Sequence, residues 1–261
     1  MSVITIARGS YSYGKEIAEK TAEELGYECL SREVILESLE EFDIPEINFT
    51  QALEDVPSIL ERIVHGKRKY MTHTRTALLQ HLRRGNMVYH GFAGHFFLEG
   101  ISHVLKVLIT ADMEDRISIV MDRHHLSRKR ASRFVSKIDE QRRKWGKMLY
   151  GIDPWDPCLY DLALHIDRLT VEDAVGTICQ VSRLEQFQVT PESEKAIDDM
   201  FIAFSVELLL IDLKPRVDVF AEDKLVYLKP SIPLSDESEI VSKMGEIMTT
   251  VPGIRGIKVV T

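Results

Sequence analysis

The chain has 261 residues, 44% hydrophobic and 28% charged, with a formal net charge of −8 at pH 7. That length buries a sizeable core in one large domain or two, and the composition is that of an ordinary soluble globular protein. The acidic balance argues against non-specific nucleic-acid binding by the whole chain. No stretch of about 18 apolar residues is present, which excludes a transmembrane helix candidate. Cys29, Cys158 and Cys179 are odd in number and widely spaced. They suit a reducing compartment and form no metal-ligand pattern. The start lacks the basic, apolar and small-residue regions of a signal peptide, so a cytoplasmic location is expected.

In chain order, Val3-Ile4-Thr5-Ile6-Ala7-Arg8 reads as a short strand. It runs into Gly9-Ser10-Tyr11-Ser12-Tyr13-Gly14-Lys15-Glu16 and then an amphipathic helix. On that helix Ile17, Ala18, Thr21, Ala22 and Leu25 share a face, and Gly26 closes it. Gly9, Gly14 and Lys15 stand at the spacing of a phosphate-binding P-loop. Such a loop curls around phosphates and needs glycine where a Cβ would clash or φ must be positive. The helix N-terminus behind it supplies unpaired amides and a favourable dipole. Lys15 would reach the β- and γ-phosphates as a mobile point charge. The usual pattern continues with a hydroxyl that holds Mg²⁺, but here Glu16 follows. Its carboxylate either meets a metal through water or favours the first helical turn as an anion. The competing reading is a plain strand–turn–helix with no ligand; the apolar strand before the loop and the helix after it favour phosphate.

Residues 27–30 are extended, 34–39 look helical, and 40–58 contain Pro45 and Pro57 and read as irregular. Residues 59–84 are helical by pattern, with Ile59, Leu60, Ile63, Leu78, Leu79 and Leu82 as core candidates and Gly85-Asn86 as the stop. Buried strands follow at 87–91 and 104–109, then a helix from Met113, a basic helix over 127–148, a strand over 161–166 and a helix over 171–184. Between Arg123 and Lys147 ten Lys and Arg residues face Asp139 and Glu140, a local charge of +8. This is either a solvated helix face or the footprint of a local anionic partner, and its arginine content suits phosphate. RNA is the weaker partner, because aromatic residues do not interleave the basic ones over 123–144. Strands alternating with helices predict a P-loop-type three-layer αβα parallel sheet, with ligands beyond the C-terminal strand ends. The loop, Gly91 and Asp112 all fall at such ends. Residues 185–195 are polar, contain Pro191 and read as a linker. A helix, strands at 217–220 and 225–228 joined by a turn at 221–224, a helix over about 236–250 and a strand at 256–260 complete a small α+β unit.

Taken in order, these residues resemble the cytidylate kinase-like branch of the P-loop nucleoside monophosphate kinases over about residues 1–184. The resemblance rests on Gly9 to Lys15 followed by Glu16-Ile17-Ala18-Glu19-Lys20, on Ser31-Arg32-Glu33, on Asp115-Arg116-Ile117 with Arg123, and on Asp153 through Leu162. In that branch a glutamate after the loop's basic residue is common. The tail resembles a small BON-like domain through its strand–helix order and Val251-Pro252-Gly253-Ile254. The expected organisation is a domain over 1–184, a linker over 185–195 and a small domain over 196–261.

The resemblance implies ATP-dependent phosphoryl transfer to a nucleoside monophosphate, with a CMP-like acceptor, and with ATP and Mg²⁺ as cofactors. It implies donor-phosphate contacts from Gly9, Ser10, Ser12, Gly14, Lys15 and Glu16. It implies catalytic roles for Lys15, Arg123, Arg128 and Asp161, and acceptor or lid contacts from Arg32, Arg130 and Arg133. The family usually carries Gly-Arg-Gly-Ala where this chain has Gly91-Phe92-Ala93-Gly94, so Phe92 replaces an arginine of the acceptor pocket. An apolar ring stacks or packs but does not neutralise phosphate. His90 and His95 flank it, as substitute donors or as packing residues. Phe92 and Glu16 motivate a second reading, a catalytically degenerate nucleotide-binding sensor. The expected partner is a nucleotide, without a membrane or a specific nucleic acid, and the tail has room for a protein partner.

Overall fold

The computed structural model describes residues 2–31, 56–91, 94–213, 216–231 and 238–260. Arg32, Phe92 and the expected helix over 34–39 lie outside the described residues. In chain order the elements are β1 (Val3–Arg8), α1 (Gly14–Leu25), β2 (Glu28–Ser31), α2 (Val56–Leu82), β3 (Met87–His90), α3 (Gly94–Phe97), β4 (Val104–Ala111) and α4 (Met113–His124). They continue with α5 (Arg128–Tyr150), β5 (Leu162–Ile166), α6 (Val171–Ser182), α7 (Pro191–Leu209), β6 (Val217–Glu222), β7 (Leu225–Pro230), α8 (Ser238–Thr250) and β8 (Gly256–Val259).

The first five strands form one parallel sheet in the order β2-β3-β1-β4-β5. Strands covered on both faces carry near-continuous apolar runs, and β1 and β3 do so: Val3, Ile4 and Ile6 pair in register beside Met87, Val88 and His90. Ile4, Ile6, Leu105, Val107 and Ile109 share one core with Ile17, Ala18 and Ala22 of α1 and with Ala174, Val175 and Ile178 of α6. The result is the expected three-layer αβα arrangement. The N-terminus of α6 is fixed by a capping box, in which Thr170 Oγ1 accepts the Asp173 N–H at 3.1 Å and Asp173 Oδ2 accepts the Thr170 N–H at 3.0 Å.

The described residues gather into two compact units. One holds 2–31, 56–59, 85–91 and 94–189; the other holds 60–84, 190–213, 216–231 and 238–260. The second unit has its own sheet, β6-β7-β8, antiparallel between β6 and β7 and parallel between β7 and β8. Its core joins Ile202 and Val206 of α7, and Leu210 at its C-cap, to Val217, Val226, Leu228, Ile247 and Val251.

This division differs from the expected one in two places. Residues 60–84 group with the tail rather than with the first 184 residues. Arg68 donates to Glu207 at 2.9 Å, and Arg75 and Arg83 lie over the rings of Phe204 and Phe201 at 4.2 and 4.4 Å. Residues 191–195 are also not linker. Thr190 caps α7 by accepting the Ser193 N–H at 3.2 Å, and Pro191 is its first helical residue. Proline's fixed φ and missing N–H suit that position.

Asp199, buried on α7, holds the β6–β7 hairpin. Its carboxylate accepts the N–H of Asp223 at 2.9 Å and of Lys224 at 2.7 Å. Those two turn residues have φ of 55° and 63°, the left-handed pair of a two-residue hairpin turn. Asp199→Ala removes both acceptors and is expected to lower this unit's stability by about 2–3 kcal/mol, read from the urea midpoint. Asp199→Asn, which keeps one acceptor oxygen, is expected to lose roughly half as much.

Candidate functional site

The site begins where β1 leaves the sheet. Arg8 lies opposite Ile109, and the Gly9 N–H makes the last rung to the Ile109 carbonyl at 3.0 Å. The next three carbonyls are each taken by a side chain. Arg142 Nη1 donates to the Arg8 carbonyl at 2.9 Å, Ser12 Oγ to that of Gly9 at 2.9 Å, and Arg116 Nε to that of Ser10 at 2.7 Å. In a trans peptide C=O and N–H point in opposite directions. Carbonyls drawn inward therefore turn the N–H groups of Ser10 and Tyr11 outward. The amides of Gly14, Lys15 and Glu16 open α1 and have no intrahelical carbonyl.

The left-handed backbone positions of this loop belong to Tyr11 and Tyr13, with φ of 57° and 62°, and not to its glycines. Gly14 is required for another reason: a Cβ there would stand 2.5 Å from Arg8 Cβ and 2.7 Å from Arg8 Cδ. A Cβ on Gly9 would meet nothing nearer than Ser12 at 3.5 Å. Tyr11 is held by packing. Its hydroxyl lies 2.9 Å from His124 Nε2, its ring meets His124 edge-on and Phe134 at a tilt, and it rests on the α4–α5 core of Ile117, Val120, Ala131 and Val135. Burial raises its phenol pKa, against the pull of Arg123 and Arg142.

Over the loop lies a cavity of about 790 Å³. Arg8, Lys15, Arg123 and Arg142 line it, against Glu16 and Glu19. The exposed Lys15 ammonium is 3.7 Å from Glu19. The Glu16 carboxylate is 2.9 Å from Lys20, which also pairs with Glu172 at 2.8 Å and has its pKa raised by both. Four cations, a helix N-terminus and outward amides are chemistry that suits a multiply charged anion such as a polyphosphate. Among the described residues no group of three or more His, Cys, Asp or Glu is placed to hold a metal ion.

The structure gathers Ser10, Ser12, Gly14, Lys15, Glu16 and Arg123 around this cavity, with Gly9 just behind it. The hydroxyls of Ser10 and Ser12 face away from it: Ser10 Oγ donates to Asp139 at 2.7 Å, and Ser12 Oγ to the Gly9 carbonyl and to that of Ile109 at 3.2 Å. Arg128 is paired with Glu114, and Arg130 and Arg133 are exposed on α5 outside the cavity lining. Asp161 is not brought to the site. It accepts the Lys106 N–H at 2.8 Å and donates its own N–H to the Lys106 carbonyl at 2.9 Å. Lys106 precedes Ile109 by three residues along β4, about 10 Å back from the strand ends that carry the loop.

Nor is His95 a cation for phosphate. It is buried, its Nε2 lies 3.2 Å from the Tyr160 hydroxyl, and Tyr160 in turn donates to the Pro154 carbonyl at 2.8 Å. Burial, reinforced by the Lys106 ammonium, lowers its pKa to about 3. Motif reading missed Arg8, Asp139 and Arg142, and took in Arg116 only within the Asp115-Arg116-Ile117 stretch, with no role of its own. The helical spacing holds a signal for Arg142, because Ala131, Val135, Ile138 and Trp145, all buried on α5, share its face.

Two outcomes follow for the free protein. Gly9→Ala is expected to leave the thermal midpoint within about 2 °C of wild type, whereas Gly14→Ala is expected to cost about 2 kcal/mol, seen as a drop of several degrees by calorimetry. His95 is neutral when folded and titrates near 6.5 when unfolded. The unfolded chain therefore binds the extra proton between pH 6.5 and about 3, so this group's stabilisation is complete above pH 6.5 and falls as pH drops through that window. Urea unfolding at pH 7 and pH 4.5 should show wild type losing stability more steeply than His95→Gln, by up to about 1.4 kcal/mol per pH unit.

The family model for the cytidylate kinase-like family matches residues 3–168. A cytidylate kinase of Methanopyrus kandleri is 26% identical over 185 residues, covering 67% of this chain and 90% of that protein. The crystal structure of an uncharacterized protein from Eubacterium ventriosum is similar in fold, with a TM-score of 0.54 at 18% identity over 70% of this chain and 98% of the other.

Proposed function

The chain belongs to the cytidylate kinase-like family, and from that premise we propose that it transfers the γ-phosphoryl group of ATP to a nucleoside monophosphate, with a CMP-like acceptor. The observation that carries this reading is the cavity over the Gly9–Lys15 loop, where Arg8, Lys15, Arg123 and Arg142 converge on the helix N-terminus. Phosphoryl transfer needs positioning and charge neutralisation more than covalent chemistry, and these residues supply both. Lys15 would follow the β- and γ-phosphates on its flexible stem. Arg123 and Arg142, from α4 and α5, would meet the transferring group from the opposite wall. The outward amides of Ser10 and Tyr11 and those of Gly14 to Glu16 would hold the phosphate oxygens. A bound Mg²⁺ would neutralise polyphosphate charge; Glu16 and Glu19 are the carboxylates on this wall that would meet it.

Calorimetric titration of ATP into wild type and Lys15→Ala tests the site. Wild type is expected to bind, and the variant to bind about 10–100-fold more weakly, the worth of one charge-assisted contact. Coupled assays with CMP, dCMP, UMP and AMP then test the chemistry. ATP binding without turnover of any acceptor would leave the sensor reading in its place, and absence of ATP binding by wild type would overturn both.

A further inference from the structure

We infer that Arg116 is a positioning residue for the loop, gripping Ser10 from behind so that the Tyr11 amide faces the phosphate cavity, with Asp139 as the counter-ion that fixes its guanidinium. The inference rests on the reading of that loop as the donor-phosphate site. Arg116 lies in the first turn of α4, its N–H donating to the carbonyl of Asp112, the N-cap, at 3.2 Å. Because α4 follows β4, the neighbour of β1, that turn stands beside the loop.

The Arg116 side chain is 9% exposed. Burying a guanidinium demands a partner for its charge. Asp139 Oδ2 is that partner, at 2.6 Å from Nη2. Two further contacts go to Ser10. Nε donates to the Ser10 carbonyl at 2.7 Å, and Nη2 to Ser10 Oγ at 2.8 Å. Ser10 Oγ then donates to Asp139 Oδ1 at 2.7 Å, closing the ring. Both oxygens of one loop residue are thereby fixed by a rigid planar fork. The pull comes from the far side. Arg116, Asp139 and Gly9 line a separate cavity of about 380 Å³, whereas Ser10 to Lys15 line the large one.

A lysine at 116 keeps the charge beside Asp139 but loses the fork to Ser10. Arg116→Lys therefore separates positioning from mere charge balance. Amide hydrogen exchange of the free protein, with Kd values for ATP and CMP, provides the readouts. Arg116→Lys is expected to speed exchange at Ser10 to Lys15 while α6 keeps its protection, to weaken ATP about tenfold or more, and to leave CMP within about twofold. Wild-type exchange and wild-type ATP affinity in the variant would overturn the inference. Faster exchange throughout, with ATP and CMP weakened alike, would also overturn it, because a structural role alone predicts that pattern. If wild type fails to bind ATP, the proposed function falls, and the loop exchange still decides whether Arg116 holds the loop. Should Arg116→Lys fail to fold, Asp139→Asn takes its place. It is expected to shift loop exchange and ATP affinity in the same direction by about threefold or more, and no change at either would overturn the inference.

Discussion

Three consecutive carbonyls, those of Arg8, Gly9 and Ser10, set the terms for this molecule. They stand where the chain leaves the sheet at the end of β1, those of Gly9 and Ser10 buried and that of Arg8 half-buried, so each calls for a donor. Arg142, Ser12 and Arg116 are those donors. Two of the three come from the α4–α5 hairpin, so that hairpin is part of the loop's internal bonding. For Gly9 and Ser10, carbonyls satisfied on one side turn the following amides to the other, so a backbone requirement alone sets out donors that suit an anion.

The same constraint explains why the loop tolerates tyrosines where left-handed backbone would ordinarily favour glycine. Side chains at Tyr11 and Tyr13 cost roughly 1–2 kcal/mol each in that conformation. Tyr11 offsets its share by packing on Phe134 and His124 and by its hydroxyl contact. Gly14 carries the complementary duty. The Arg8 side chain runs along the first turn of α1, through space that a Cβ would fill. Arg8 thereby reaches the cavity from the strand while its carbonyl faces the hairpin.

Strand, loop and helix at the start of the chain were legible because apolar spacing and glycine position report directly on local backbone. The alternation of strands and helices likewise predicted a parallel sheet, and the turn at 221–224 a hairpin. What escaped were properties of third dimensions. Pro191 reads as a breaker in isolation and becomes a helix start only beside the cap formed by Thr190 and Ser193. Leu78, Leu79 and Leu82 announce burial but not their partner, so the placement of 60–84 with the tail had no local signature. Asp161 was placed at the site by resemblance, yet its hydrogen bonds tie it to the backbone of Lys106. Asp139 looked like a minority charge in a basic run, and its meaning lies in Arg116, 23 residues earlier on another helix.

The basic run itself shows how charge and helical phase divide labour. Arg143 pairs with Asp153 at 3.0 Å, Lys144 with Glu140 at 2.8 Å, and Arg128 with Glu114, all on exposed surface where such pairs contribute little. Arg142 is different because it shares the face of Val135, Ile138 and Trp145, which turns it inward to the Arg8 carbonyl and the cavity. Ten cations on a surface raise a diffuse potential that salt screens. One held at 2.9 Å against a half-buried carbonyl has a fixed direction, which surface cations that pair only with neighbouring side chains lack. Net charge distinguishes the helix, and the apolar stripe beneath it distinguishes Arg142 from its neighbours.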